Sequence, residues 1–268
     1  MPITALQYLI LGIVQGITEW LPVSSSAFTI LIMSNFFNIT DPGFLLQSAL
    51  FLHLGTFFAA LIYFREDAWE LFKTIFKYKK TDDDELVLLN FILVSTVITA
   101  FIGIIVLTLL SFYNLELTGK TISFFVGFLL LITGIFQIKI PRNRRGLRKE
   151  KNLENKDSFI LGLVQGLSTL PGLSRSGITV STLLLRKFDD TEALKLSFLM
   201  SLPVVLLGNI VINSREIINI SSGAIYGLLA SFFFGLLTIH GLMKLSKRIN
   251  FGWFIVIFAA LMMGSVLI

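Results

Sequence analysis

The 268-residue chain is 54% hydrophobic and 15% charged, carries 26 phenylalanines, and has a mean hydropathy of +0.83. A soluble domain averages about 25% charged residues, so the deficit excludes an ordinary water-soluble globule and points to lipid as the solvent. The net charge of +5 comes from positives gathered in short loops, not from the basic helix or aromatic-lined groove of a nucleic-acid binder; with no cysteine there is no disulfide, thiol nucleophile or thiolate metal site.

In chain order, the first apolar region, 4–38, has no Lys or Arg before Leu11 and so does not read as a cleavable leader. It is broken at 22–26 by Pro-Val-Ser-Ser-Ser. Three crossings are expected next, at 44–64, 86–111 and 120–138. A second apolar region, 158–187, is broken at 171–177, and three more crossings follow at 192–212, 222–243 and 251–268. Each half of a broken region holds roughly 12 to 16 residues, about 18–24 Å of helix, too short for a hydrocarbon core of about 30 Å. Two re-entrant helical hairpins are therefore predicted, with their broken backbone buried in protein or lining a wet cavity.

The two broken regions are copies of one another. Residues 11–26 (LGIVQGITEWLPVSSS) return at 161–176 (LGLVQGLSTLPGLSRS), and an internal repeat of this kind decides the fold. The loops at 65–85, 139–157 and 244–250 are rich in Lys and Arg; 112–119 has none and 213–221 only Arg215. The positive-inside rule places the rich loops in the cytoplasm and both termini outside, provided each hairpin returns to its own side. Each half then holds a hairpin and three crossings. Three is odd, so the second half is inserted upside down. The expected fold is an all-α polytopic membrane protein with an inverted-topology repeat, one domain over 1–268 with repeats about 1–145 and 146–268, whose hairpin tips converge near the midplane.

Polar residues inside these apolar regions are the candidates for chemistry, because each is costly without a partner or a task. Gln15 and Glu19 stand four apart, on one helical face. Glu19 reads as a metal ligand or general base, with an interfacial Glu reaching for water as the plainer alternative. Ser24, Ser25 and Ser26 open a helix after Pro22; capping explains part of that signal, and a helix N-terminus facing a cavity is also an anion site. In the second copy Ser174, Ser176 and Thr179 surround Arg175, and Gly177 allows close backbone approach. A guanidinium is the favoured bidentate partner of phosphate oxygens, while an Arg175–Glu19 ion pair holding the hairpins together is the structural alternative. The acidic run Asp82, Asp83, Asp84 and Glu85 lies beside lysines and reads as solvated charge. His53 and His240 read by default as satisfied intramembrane histidines, His53 with the option of facing the cavity.

At these motifs the sequence resembles the undecaprenyl-diphosphate phosphatase family, integral-membrane enzymes that recycle a polyprenyl lipid carrier. Gln15 and Glu19 match its Glu/Gln-x-x-x-Glu motif, 21–25 its Leu-Pro-Val-Ser-Ser segment, and 171–179 its Pro-Gly-x-Ser-Arg-Ser-Gly-x-Thr motif at every fixed position. Where members commonly carry Gly-His after the serines, this chain has Ala27-Phe28. The resemblance implies hydrolysis of undecaprenyl or a related polyprenyl diphosphate to the monophosphate and inorganic phosphate, at the cell membrane. It implies Arg175 as diphosphate clamp, with Ser174, Ser176, Gly177, Thr179, Gln15, Ser24 and Ser26 lining the substrate. Glu19, with Gln15, would hold a divalent cation, Mg²⁺ or Ca²⁺, or activate the nucleophile, which is Ser25 by analogy or else a water. A Ser-His pair is not visible in the sequence. A lipid-phosphate transporter or flippase using the same midplane site is the alternative.

Overall fold

The computed structural model describes residues 3–77, 83–113, 148–170, 173–213, 222–248 and 251–264, together with isolated helical residues between 124 and 139. Among the described residues there are ten α-helices: α1 (Ala5–Thr18), α2 (Ser25–Phe37), α3 (Pro42–Tyr63), α4 (Arg65–Lys77), α5 (Asp83–Tyr113), α6 (Asn155–Leu167), α7 (Arg175–Leu185), α8 (Asp190–Asn213), α9 (Ser222–Arg248) and α10 (Phe251–Gly264). A 3₁₀ turn, Glu150–Asn152, precedes α6.

Helix ends follow local chemistry. Thr4 and Gln7 cap α1 reciprocally, Gln7 N–H donating to Thr4 Oγ1 (3.3 Å) and Thr4 N–H to Gln7 Oε1 (2.8 Å). Asp41 accepts from Gly43 N–H (3.0 Å) at the start of α3, where Pro42 lacks only a hydrogen that would have had no helical partner. Asn38 closes α2 in the left-handed region (φ 55°), a conformation its short polar side chain tolerates.

Among the described residues four helices contain stretches long and apolar enough to cross a membrane: Pro42–Tyr63, Leu86–Leu109, Asp190–Val211 and Gly223–Ser246. These are four of the six expected crossings. The one at 120–138 lies largely outside the described residues. At 251–268 the described helix, Phe251–Gly264, has 14 residues, about 21 Å, and is short of a span. Helices α1, α2, α6 and α7 have 11 to 14 residues each, the short half-segments expected of the broken regions.

One expectation is corrected. The stretch 65–85 is not simply a loop, since 65–77 forms α4 and α5 begins at Asp83. Counting its basic residues hid a helical period: Trp69, Phe72 and Phe76 recur on one exposed face, with Trp69 stacked on Phe72 and Lys73 5.4 Å over the Trp69 ring. The side chains of residues 82–85 lie outside the described set.

The chain forms two compact units, each drawing helices from both sequence halves. The first comprises Met1–Phe64 and Ser201–Leu242. In it α1 lays Gly12 and Gly16 against α9. A methyl added at Gly16 would lie 2.8 Å from Gly235 N, Phe234 Cβ and Ser231 O, so only glycine permits this approach. Ser231 Oγ donates to the Leu52 carbonyl (2.9 Å), tying α9 to α3, and Tyr8, Leu11, Met33, Leu45, Leu52 and Ala224 fill the core.

The second unit comprises Arg65–Met200 and Met243–Ile268. Here α6 lays Gly162 and Gly166 against α5, where a methyl at Gly166 would lie 2.5 Å from Ile102 Cβ. The two copies of the repeat thus use corresponding glycines for the same task against different helices. Asp157, fully buried, takes Arg148 Nη2 on Oδ2 (2.6 Å), Arg186 Nε on Oδ1 and the Glu154 N–H on Oδ2 (2.8 Å). Arg148 and Arg186 therefore fasten the approach to α6 onto the end of α7. Lys195 on α8 adds ion pairs to Asp67 (2.5 Å) on α4 and Glu150 (2.9 Å) in the 3₁₀ turn.

Candidate active site

The first hairpin is built by its proline. Helix α1 ends at Thr18, Glu19 forms its C-cap, and Pro22, which has no N–H and disfavours helix in Leu21, turns the chain. Ser24 then caps α2, its Oγ accepting from Ala27 N–H (3.4 Å). This return brings Ser25, the first residue of α2, back over the end of α1. Ser25 Oγ–H donates to Glu19 Oε2 at 2.6 Å, and Gln15 Nε2–H donates to the same oxygen at 2.9 Å. Gln15, Glu19 and Ser25 are all buried. Thr29 Oγ1, also buried, lies 3.3 Å from Gln15 Oε1 and fixes which end of that amide faces Glu19. Ser24 and Ser26 lie beside this group with their hydroxyls 3.5 Å apart.

A residue the sequence had left in the background completes the cluster. His53, in the middle of α3, places Nε2 3.1 Å from Glu19 Oε2, while Nδ1 lies 2.7 Å from the Ala49 carbonyl oxygen. It is not merely a satisfied helix histidine. The serine and the histidine do not pair directly; the Glu19 carboxylate receives both. Phe28, one turn along α2, is instead about half exposed (47%).

The second hairpin repeats the local construction with different chemistry. Pro171 and Gly172 lie outside the described residues, and from Leu173 onward the pattern matches. Ser174 caps α7 by accepting from Gly177 N–H (3.1 Å), with Ser176 Oγ 3.3 Å from Ser174 Oγ. Thr179 Oγ1 donates to the Arg175 carbonyl (2.8 Å), as Thr29 donates to the Ser25 carbonyl (2.9 Å). Arg175 thus occupies in α7 the place of Ser25 in α2. Its Nη1 reaches the Ser197 carbonyl of α8 (3.4 Å), and Thr179 Oγ1 meets Ser197 Oγ at 2.6 Å. Ser174, Ser176, Gly177 and Thr179 are buried and Arg175 is partly so. A guanidinium at a helix start adds its charge to the positive end of the helix dipole.

The structure therefore gathers Gln15, Glu19, Ser24, Ser25 and Ser26 at the first hairpin and Ser174, Arg175, Ser176, Gly177 and Thr179 at the second. Among the described residues no three His, Cys, Asp or Glu side chains converge as a ready-made metal cage. Gln15 turns its amide nitrogen, not its oxygen, to Glu19. What fits this donor set is a hard cation taking one protein carboxylate and completing its shell with phosphate oxygens and water.

A family model described as Bacitracin resistance protein BacA matches residues 8–264. Among curated relatives, a protein of Methanococcoides burtonii named Undecaprenyl-diphosphatase is 38% identical over 253 residues, covering 92% of each chain. One of the same name from Methanothrix thermoacetophila is 36% identical, over 93% of this chain and 92% of its own. Undecaprenyl-diphosphatase 1 of Shouchella clausii is 35% identical, over 96% and 94%.

Proposed function

The chain belongs to the BacA family, and from that premise we propose that Glu19 and Ser25 of the first hairpin supply the attacking chemistry and that Arg175 of the second binds diphosphate oxygens. The reaction is hydrolysis of undecaprenyl diphosphate to the monophosphate and inorganic phosphate, as the names of its relatives indicate. The observation that carries the residue assignment is the Ser25 hydroxyl hydrogen-bonded at 2.6 Å to a buried carboxylate. A serine needs an adjacent base to become a nucleophile, and Glu19 is in place to be that base.

In the proposed mechanism Ser25 Oγ attacks the terminal phosphorus as its proton passes to Glu19 Oε2. The bond from that phosphorus to the bridging oxygen breaks, and the lipid monophosphate leaves with the electron pair. Glu19 gives that proton to the departing monophosphate and, ionised again, takes a proton from a water that attacks the phosphoserine. The bond from phosphorus to Ser25 Oγ breaks, Oγ takes the proton back from Glu19, and inorganic phosphate is free. Arg175 neutralises charge on the phosphoryl oxygens, with Ser174, Ser176 and the N–H groups at the start of α7 as further donors. A divalent cation, Mg²⁺ or Ca²⁺, would be held by Glu19 and phosphate oxygens and would supply further charge neutralisation.

Several features support an inverted repeat of re-entrant hairpins: the repeated sequence, the short helices, the matching caps, and the matching use of Gly12 and Gly16 of α1 against α9 and of Gly162 and Gly166 of α6 against α5. The tail would lie among the apolar helices of the cell membrane. A transporter needs a binding site but no base on a serine. The test is the purified protein in proteoliposomes loaded with undecaprenyl diphosphate: phosphate release dependent on Ser25 and Glu19 is expected, and lipid movement between leaflets without phosphate release would overturn the reading.

A further inference from the structure

The second unit brings span ends to one level. Thr191, in the first turn of α8, lies hydroxyl to hydroxyl with Ser246 (3.1 Å), the last residue of the apolar stretch in α9. Lys195, one turn further along α8, holds Asp67 of α4 at 2.5 Å and Glu150 of the 3₁₀ turn at 2.9 Å. Helix α4 and the turn are thereby fixed where apolar spans begin and end, the depth at which hydrocarbon gives way to headgroups. The helix has two faces. Thr74 is buried and Asp67 turns to Lys195, whereas Trp69, Phe72 and Phe76 are 57%, 50% and 74% exposed at i, i+3 and i+7. Exposed Lys73 lies over the Trp69 ring (5.4 Å). Aromatics in a stripe with a lysine reaching past them are the composition of a helix lying in the headgroup boundary.

Around the same turn the acids are turned inward and the lysines outward. Asp157 takes Arg148 and Arg186, and Glu154 lies 3.4 and 3.8 Å from the same two guanidinia. Glu150 takes Lys195, and Asp189 accepts the Thr191 N–H (3.0 Å) at the start of α8. Lys149, Lys151, Lys156 and Lys187 are exposed, and among the described residues no ion pair reaches any of the four. Lys187 stands in the left-handed region (φ 66°), where glycine would close the end of α7 with less strain.

We propose that this end of the second unit is a binding surface for anionic phospholipid: the aromatic stripe of α4 seats in the headgroup boundary, and Lys149, Lys151, Lys156 and Lys187 take the phosphates of net-negative headgroups. Lys195 makes the two parts one surface, because it holds α4 and the 3₁₀ turn on the same helix. The stripe sets the depth and the lysines choose the lipid. A zwitterionic headgroup also carries a phosphate, but its own cation answers that charge, so the lysines favour lipids without one. Attraction between such exposed charges is screened by salt.

The full-length protein in mixed vesicles of phosphatidylcholine and phosphatidylglycerol, with a trace of one or the other spin-labelled, reports which lipid it holds. At low salt the native protein should favour phosphatidylglycerol at least about twofold, and high salt should remove the preference. Combining Lys149→Gln, Lys151→Gln, Lys156→Gln and Lys187→Gly should remove it at low salt. Should that variant not fold, the pairs Lys149→Gln with Lys151→Gln and Lys156→Gln with Lys187→Gly should each weaken the preference. The Trp69 share of the fluorescence, taken as native protein less Trp69→Phe, should be quenched more by lipid brominated near the headgroup than by lipid brominated near the chain ends. Equal holding of the two lipids by the native protein, or a preference that survives high salt or the lysine replacements, would overturn the proposal. So would Trp69 quenching that is absent, as in a dimer covering α4, or greater from the deeper bromines.

Discussion

Replacing Gly16 by alanine inserts one methyl group where α1 meets α9. That methyl would lie 2.8 Å from three atoms, Gly235 N, Phe234 Cβ and Ser231 O, where ordinary contact begins at 3.4 Å. Two are backbone atoms and the third is a Cβ fixed to the backbone, so no rotamer change relieves the overlap and the helices must separate. Overpacking of this kind costs about 1–3 kcal/mol, partly offset by the 0.5–1 kcal/mol that alanine gains over glycine inside a helix. Gly241, on the same α9, has nothing within 4 Å of its added methyl and should show only the gain. Gly241→Ala should therefore be more stable than Gly16→Ala by about 1–3 kcal/mol, read as an ordered pair of thermal midpoints in one detergent with the native protein between them. A Gly16→Ala protein melting at or above Gly241→Ala would refute the close helix contact.

Other outcomes follow from particular contacts. Asp157→Leu strands Arg148 and Arg186; because both guanidinia keep some water contact, the loss should fall near about 3 kcal/mol, and adding Arg148→Met should recover part of it in the same melting assay. Arg175→Lys keeps a charge but not the fork, so its kcat/KM should lie between those of the native protein and Arg175→Ala. Stripping divalent cations with a chelator should slow the native protein, and Mg²⁺ or Ca²⁺ should restore it but give Glu19→Gln little; turnover unaffected by chelator would remove the cation from the mechanism.

The hairpins were legible in the sequence because their signals are local. A proline ends one helix, a serine starts the next, and the repeat states the pattern twice, so the caps by Ser24 and Ser174 and the Gln15–Glu19 pairing could be anticipated from spacing alone. His53 could not. It meets Glu19 because α1 and α3 pack together, and no periodicity links residues 34 positions apart. Its one sequence signal, a lone histidine in an apolar span, equally fits a histidine bonded only to its own helix. The Asp157 cluster was hidden for a related reason: no local spacing links Arg148 and Arg186 to each other or to the single buried carboxylate that takes both. In α4 the charges masked the aromatic stripe at 69, 72 and 76.

The most direct test of the account is a single-turnover measurement of phosphate release by purified protein in excess over undecaprenyl diphosphate, comparing the native chain with Glu19→Gln, Ser25→Ala and Arg175→Ala. The account predicts release by the native protein and a rate lower by about 100-fold or more in each variant. Native-rate release by any of the three, with the variant still folded, would contradict it.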